Sequence, residues 1–319
     1  MPITPIKTYG SETWKGRIPS RPEEIQYFYQ SVASINELEE TSNSPKQDIA
    51  IIGYACDIGV KRNQGRIGAA EGPAVMRRSL ASLAWHYGDR KIWDYGDVVG
   101  IDNNLEECQE QFAAQIAAAL NDNHLPIGIG GGHDIAYAHY LGLKKHLQPR
   151  GKTLGIINFD AHFDLRKPNP DGTSGTPFYQ SLTDESWSVR YLPIGLQQAG
   201  NIQALYRTAE RLGVDYITLE DTHQEAKSQD KINRFIDQVD CLYLTIDLDG
   251  FSYTLAPGVS APSPEGLDYN WTLSILDYLI ASGKVISCDL AEFNPTYDID
   301  NHTAKLGARL IGKIISSLS

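Results

Sequence analysis

Apolar residues in this chain fall into two alternating textures. From Asp48 onward, short β-branched runs recur at 49–53, 91–93, 125–129, 154–159, 191–195, 216–219, 241–246 and 284–288. They are brief, continuous and bounded by turn-forming residues, so they predict eight strands. Between most of them apolar residues return at helical spacing. Phe112, Ile116 and Ala119 share one side of 106–120, and 135–147, 201–212, 231–239, 271–281 and 303–318 look similar. Strand runs too continuous for a half-exposed sheet, alternating with helices, predict an α/β fold with a mostly parallel sheet covered on both faces. The first 47 residues differ, being polar and broken by Pro2, Pro5, Pro19, Pro22 and Pro45. They predict an arm (1–47) with one helix over 22–38, ahead of a single domain over 48–319.

Composition narrows the function classes. In 319 residues, 28 Lys plus Arg face 40 Asp plus Glu, a net charge of −12. That balance argues against a nucleic-acid partner, which needs clustered positive charge. Hydrophobic residues at 41% suffice for a real core. No stretch approaches the ~18 apolar residues of a membrane span, and the first residues lack a signal pattern, so a soluble, cytoplasmic protein is expected. Cys56, Cys108, Cys241 and Cys288 form no C-x-x-C pair, and the last two lie in apolar runs, as buried free thiols do.

In parallel sheets the site forms beyond the carboxyl ends of strands. Four predicted strands end in metal-binding side chain types. They run into Gly130-Gly131-Gly132-His133-Asp134, Asp160-Ala161-His162-Phe163-Asp164, Asp247-Leu248-Asp249 and Asp289-Leu290-Ala291-Glu292. If the D-x-H-x-D segment stays extended, Asp160, His162 and Asp164 point to one side, as do Asp247 and Asp249. Taken singly, each feature has a plain explanation. Asp134 could cap the next helix, and a lone D-x-D is often a turn or cap. Jointly they would form a self-repelling acidic face unless cations neutralise it. Carboxylates with two imidazoles suit Mn²⁺, admit Zn²⁺, Fe²⁺ or Co²⁺, and exclude a cysteine-type zinc site. Six ligands are too many for one tetrahedral ion and fit a pair ~3.5–4 Å apart sharing a hydroxide.

These motifs, together with Gly72-Pro73, Asp94-Tyr95-Gly96-Asp97 and Ala256-Pro257-Gly258, resemble the ureohydrolase family of arginases, agmatinases and formimidoylglutamases. The resemblance runs from about Ile49 to the C-terminus. It implies a three-layer α/β/α fold with an eight-stranded parallel sheet, two Mn²⁺ per subunit and a homo-oligomer. By motif position, His133, Asp160, Asp164 and Asp247 would hold one ion, and Asp160, His162, Asp247 and Asp249 the other. A hydroxide bridging the ions would attack a trigonal carbon, and Glu292 would be the catalytic carboxylate holding the cationic group beside it.

Within the family, the chain looks most like the formimidoylglutamase subgroup. Asp164 is followed by Leu165-Arg166, and Ser174-Gly175-Thr176-Pro177-Phe178 stands where arginases and agmatinases carry a His-Gly pair. The segment from Gly59 to Pro73, Trp14-Lys15-Gly16-Arg17 and the run from Ala291 to Asp298 also resemble that subgroup. The substrate implied is N-formimidoyl-L-glutamate, cleaved to glutamate and formamide in histidine breakdown. Its carboxylates call for positive or polar groups, for which Arg166, Asn63 and Ser174 are the candidates, with Arg62 and Arg66 as possible helpers. The rivals are another amidine or guanidino hydrolase, such as an agmatinase, guanidinobutyrase or arginase, and a metal-bound binding protein without turnover. A histone-deacetylase-like amidohydrolase fits less well, because tandem histidines are missing.

Overall fold

The computed structural model describes residues 5–21, 23–35 and 47–318. Its strands are β1 (Ile6–Lys7), β2 (Val32–Ser34), β3 (Ile49–Ala55), β4 (Ile92–Val99), β5 (Leu125–Gly130), β6 (Leu154–Phe159), β7 (Val189–Leu196), β8 (Ile217–Thr218), β9 (Cys241–Asp247) and β10 (Val285–Ala291). The helices are α1 (Ile58–Arg62), α2 (Gly72–Ala81), α3 (Leu105–Asn121), α4 (Ile135–Leu147), α5 (Pro177–Leu182), α6 (Gln203–Arg211), α7 (Leu219–Thr222), α8 (Glu225–Ile236), α9 (Tyr269–Ala281) and α10 (His302–Ser317). All eight predicted strands form, and two short ones join them to make a ten-stranded sheet. None of the helices is long and apolar enough to cross a membrane among the described residues.

The sheet runs β1-β4-β3-β5-β10-β9-β6-β7-β8, with β2 also on β4, and every pairing but β1 with β4 is parallel. Side chains separate by parity. Ile49 and Ile51 enter a core shared with α2, α9 and α10, while Ala50, Ile52 and Tyr54 enter a second core under α3 and α4. Helices on both faces explain why these strands read as unbroken apolar runs. The order also makes neighbours of β5, β10, β9 and β6, the four strands whose ends carry the acidic and histidine motifs.

The helix expected over 22–38 does not form in its described part. Residues 28–31 make a single 3-10 turn, and 32–34 pair with β4 as β2. Tertiary pairing outbids local propensity here. The Phe28 N–H bonds Leu83 O and the Trp85 N–H bonds Gln26 O, both at 2.9 Å, so these groups are spent outside a helix. Phe28 itself is buried against Trp14, Trp85 and Tyr87. Pro22 and residues 36–38 of that expectation lie outside the described residues.

The Asp94-Tyr95-Gly96-Asp97 motif anchors the segment that precedes the ligand-bearing strands. Fully buried Arg77 on α2 forms a two-point pair with Asp94, at 3.0 Å from Nε and 2.8 Å from Nη2, and also pairs with Asp97. Trp14 Nε1 donates to Asp94 at 2.6 Å and the Tyr9 hydroxyl donates to Asp97. The paired charges are thereby satisfied from both sides, as buried ions require. With β1 and β2, this segment also covers the outer edge of β4.

Candidate metal centre

The glycine run after β5 lets that strand end press against β3. A Cβ on Gly131 would lie 1.8 Å from the Cys56 carbonyl oxygen, which backbone cannot yield. The close approach closes two hydrogen bonds, Gly131 N to Tyr54 O at 2.8 Å and Gly132 N to Cys56 O at 3.0 Å. It delivers His133, 1% exposed, to the middle of the sheet's carboxyl edge. Asp134 stands at the N-cap position of α4 but makes no side-chain cap bond. Its carboxylate instead accepts the Tyr54 hydroxyl at 2.6 Å.

Two other strand ends, those of β6 and β9, converge on His133. Its Nδ1 lies 3.2 Å from Asp160, 3.0 Å from Asp164 and 3.0 Å from Asp247. His162 Nδ1 lies 3.4 Å from Asp160 and 3.3 Å from Asp249. The ligand-type atoms thus fall into two groups, His133 with Asp160, Asp164 and Asp247, and Asp160 with His162 and Asp249, each within 4.8 Å. Asp160 belongs to both. The backbone is bent to arrange this, since Asp164 at φ 47° and Glu292 at φ 65° are both in the left-handed region that side chains avoid. Such outliers cost on the order of 1–3 kcal/mol each and cluster at functional sites.

The donor set fits divalent cations. His133 Nδ1 and Asp249 Oδ1 are buried without a hydrogen-bond partner. Thr245 Oγ1, 3.0 Å from Nε2, occupies the far side of the His133 ring. With the proton on Nε2, Nδ1 presents a lone pair to the acidic cluster, as a metal-binding histidine does. The ion-free electrostatics agree. Burial works against a charged His133, yet Asp247, Asp160 and Asp164 outweigh it and raise the imidazole well above its ordinary value. Asp249, and then burial in opposition, set His162, which is also raised. Burial and then the Asp160 charge push Asp164 up to about 6. Burial followed by Asp247 raises Asp249 well above the carboxylate range. Protons are thus held where cations would neutralise the same charge.

These groups open into a cleft of about 320 Å³ whose lining includes Asn63, Gln64, His162, Asp164, Arg166, Ser174, Asp247, Asp249, Ser260 and Glu292. Glu292 accepts the His133 N–H at 2.7 Å and the Ser260 hydroxyl. Burial, then Asp247, raises its carboxyl to about 8, against the pull of those two donors. Arg166 lies exposed on the same cleft, and among the described residues no carboxylate pairs with it. Asn63 and Arg166 both approach Gly175, and the Thr173 hydroxyl donates to Asn63 Oδ1 at 3.4 Å, which leaves the Asn63 amide N–H₂ available.

Not every expected group takes part. Arg62 faces away, bonding Glu106 at 2.7 Å, Asn103 O at 2.9 Å and Gly172 O at 3.3 Å. Arg66 lies over the Tyr297 ring at 4.9 Å. Neither lines the cleft. Sequence reading missed Ser260, Thr245 and Asn201. Asn201 accepts from Phe163 N and donates to Ala161 O, at 2.9 and 2.8 Å, so it braces the D-x-H-x-D loop. Only their positions within or after strands could have flagged them, because a hydroxyl or amide alone carries no motif.

Known proteins are similar in both sequence and shape. Residues 47–316 match the model of the arginase family. The chain is 43% identical over 303 residues to formimidoylglutamase of Chromobacterium violaceum, covering 93% of this chain and 95% of the relative. Formimidoylglutamase of Bacillus subtilis superposes with a TM-score of 0.81 at 21% identity, covering 94% of each chain. The Mn²⁺ form of formiminoglutamase of Trypanosoma cruzi superposes with a TM-score of 0.78 at 24% identity, covering 87% of this chain and 96% of that one.

Proposed function

The chain belongs to the arginase family, and we propose that within it the protein hydrolyses N-formimidoyl-L-glutamate to L-glutamate and formamide. The observation that carries this reading is the polarity of one cleft, with Glu292 and the acidic cluster at its base and Arg166, unpaired among the described residues, at its rim. A substrate with a cationic amidine at one end and carboxylate at the other complements both. The 43% identity to a formimidoylglutamase over 93% of the chain supports the same choice. Residues 48–319 serve as the catalytic unit and 1–47 as an arm. A homo-oligomer in the cytoplasm completes the reading, to be checked by sedimentation and cell fractionation.

His133, Asp160, Asp164 and Asp247 would hold one Mn²⁺, and Asp160, His162, Asp247 and Asp249 a second. When bound, such a pair supplies Lewis acidity and a water acidified enough to be nucleophilic at neutral pH. Glu292 accepts N–H groups of the cationic formimidoyl end, holding its trigonal carbon over the acidic cluster. Arg166 meets a carboxylate in the two-point geometry that guanidinium favours, and the Asn63 amide adds a donor. The Ser174 hydroxyl offers a hydrogen bond at the cleft wall but, being a very weak acid, no proton at neutral pH. Water adds at the formimidoyl carbon, the bond to the glutamate nitrogen breaks, and the amine leaves with a proton.

Offering N-formimidoyl-L-glutamate, arginine, agmatine and guanidinobutyrate to the Mn²⁺-loaded protein, with formamide and urea scored separately, tests this. Formamide from the first substrate alone is expected. Urea from any other would keep the centre and discard the pocket assignment, and no product at all would favour a non-catalytic binding protein. Arg166→Ala is expected to lower kcat/KM for N-formimidoyl-L-glutamate about 10- to 100-fold, chiefly through KM, the range of a lost hydrogen bond to a charged group. Unchanged kinetics would remove Arg166 from the substrate site.

A further inference from the structure

The Glu292 carboxylate is bracketed. Oε1 accepts the His133 N–H and Oε2 accepts the Ser260 hydroxyl. Backbone contacts bring both donors into place. The Glu292 N–H bonds Gly131 O at 2.8 Å, which ties it to the loop carrying His133. On the other side, Val259 bridges Phe293 and the Asn294 N–H bonds Gly258 O at 2.8 Å, which carries Ser260 alongside. One donor therefore comes from the β5 end and the other from the segment after β9, with Glu292, the residue just past β10, between them.

A carboxylate offers about four lone-pair sites on two oxygens. Two are occupied here, one on each oxygen. The remainder is an edge with one acceptor per oxygen, on a cleft that Glu292 and Ser260 both line. A planar amidinium presents two N–H groups in the same spacing and bonds such an edge at two points. The last torsion of a glutamate is broad, so a carboxylate held at one oxygen alone would present that edge only part of the time.

We propose that Ser260 is a positioning residue for the reaction, locking the plane of the Glu292 carboxylate so that both oxygens meet the amidinium of the substrate. This rests on the amidine reading above. The test uses the Mn²⁺-loaded full chain with N-formimidoyl-L-glutamate and compares the parent with Ser260→Ala, Ser260→Thr, Glu292→Gln and the Ser260→Ala/Glu292→Gln double variant. Ser260→Ala should lower kcat/KM about 10- to 100-fold, with metal content unchanged and the melting temperature within about 2 °C. Ser260→Thr keeps the hydroxyl and should recover to within about fivefold. In the double variant, Ser260→Ala should cost less than about threefold beyond Glu292→Gln, because its effect travels through the carboxylate.

Losses that multiply in the double variant would overturn the proposal, as would parental kinetics in Ser260→Ala. So would a Ser260→Thr variant as slow as Ser260→Ala. A parent that makes no formamide defeats the substrate reading and this inference together. An active parent indifferent to Ser260→Ala defeats the inference alone.

Discussion

Glu292→Gln is expected to lower kcat/KM by about 10²- to 10³-fold, the scale of losing one preorganised electrostatic group, while metal content and fold stay intact. The reason lies in what already bonds the side chain. The His133 N–H needs an acceptor and will orient the new amide oxygen toward itself. The amide N–H₂ then faces Ser260, whose hydroxyl can turn to accept it. Packing survives because the two side chains have nearly the same shape. The open edge, however, would show a donor to a substrate that also brings donors, and the negative charge is gone. Loss of charge beside Asp247 also relieves repulsion, so the melting temperature should hold or rise slightly. Activity within tenfold of the parent, at full metal content, would contradict the role given to Glu292.

Removing the cations should abolish activity and lower the melting temperature by on the order of 5 °C, from a linkage of ~2.7 kcal/mol at a hundredfold excess over Kd. The deficit should depend on pH. His133 and His162 are raised in the ion-free fold, Asp164 to about 6, and Asp249 well above its ordinary value. Raised groups mean that the ion-free fold binds more protons than the unfolded chain, so its stability falls as pH rises from about 6. Bound cations take over the neutralising role of those protons. The gap between loaded and ion-free melting temperatures should therefore widen between pH 6 and pH 8. A chelated protein that melts with the loaded one at both pH values would rule out the site as drawn.

Much of the site was legible because its signals are local. His133 follows a glycine run, Asp160, His162 and Asp164 share five residues, and Asp247 and Asp249 share three, so each motif sits whole at one strand end. Arg166, two residues past Asp164, falls on the same cleft for the same reason. The place of Arg62 was not legible, because its partners Glu106, Asn103 and Gly172 are contributed by distant segments. The strands before residue 48 were hidden in the same way. Val32–Ser34 and Ile6–Lys7 are strands only because β4 offers an edge to pair with. Ser260 looked like any loop serine until the fold set it against Glu292.

By itself, the chain of residues determined an α/β fold, the eight main strands and the kinds of side chain waiting at their ends. Those follow from hydrophobic period and from the chemistry of carboxylate and imidazole, which are properties of short stretches. Only the tertiary structure decided that β5, β10, β9 and β6 lie side by side, so that three motifs spread from residue 133 to 249 bring their side chains into two groups sharing Asp160, with Glu292 on the same cleft. Strand order is set by how helices cover both faces and by which edges remain to be paired, and that is a property of the whole chain at once.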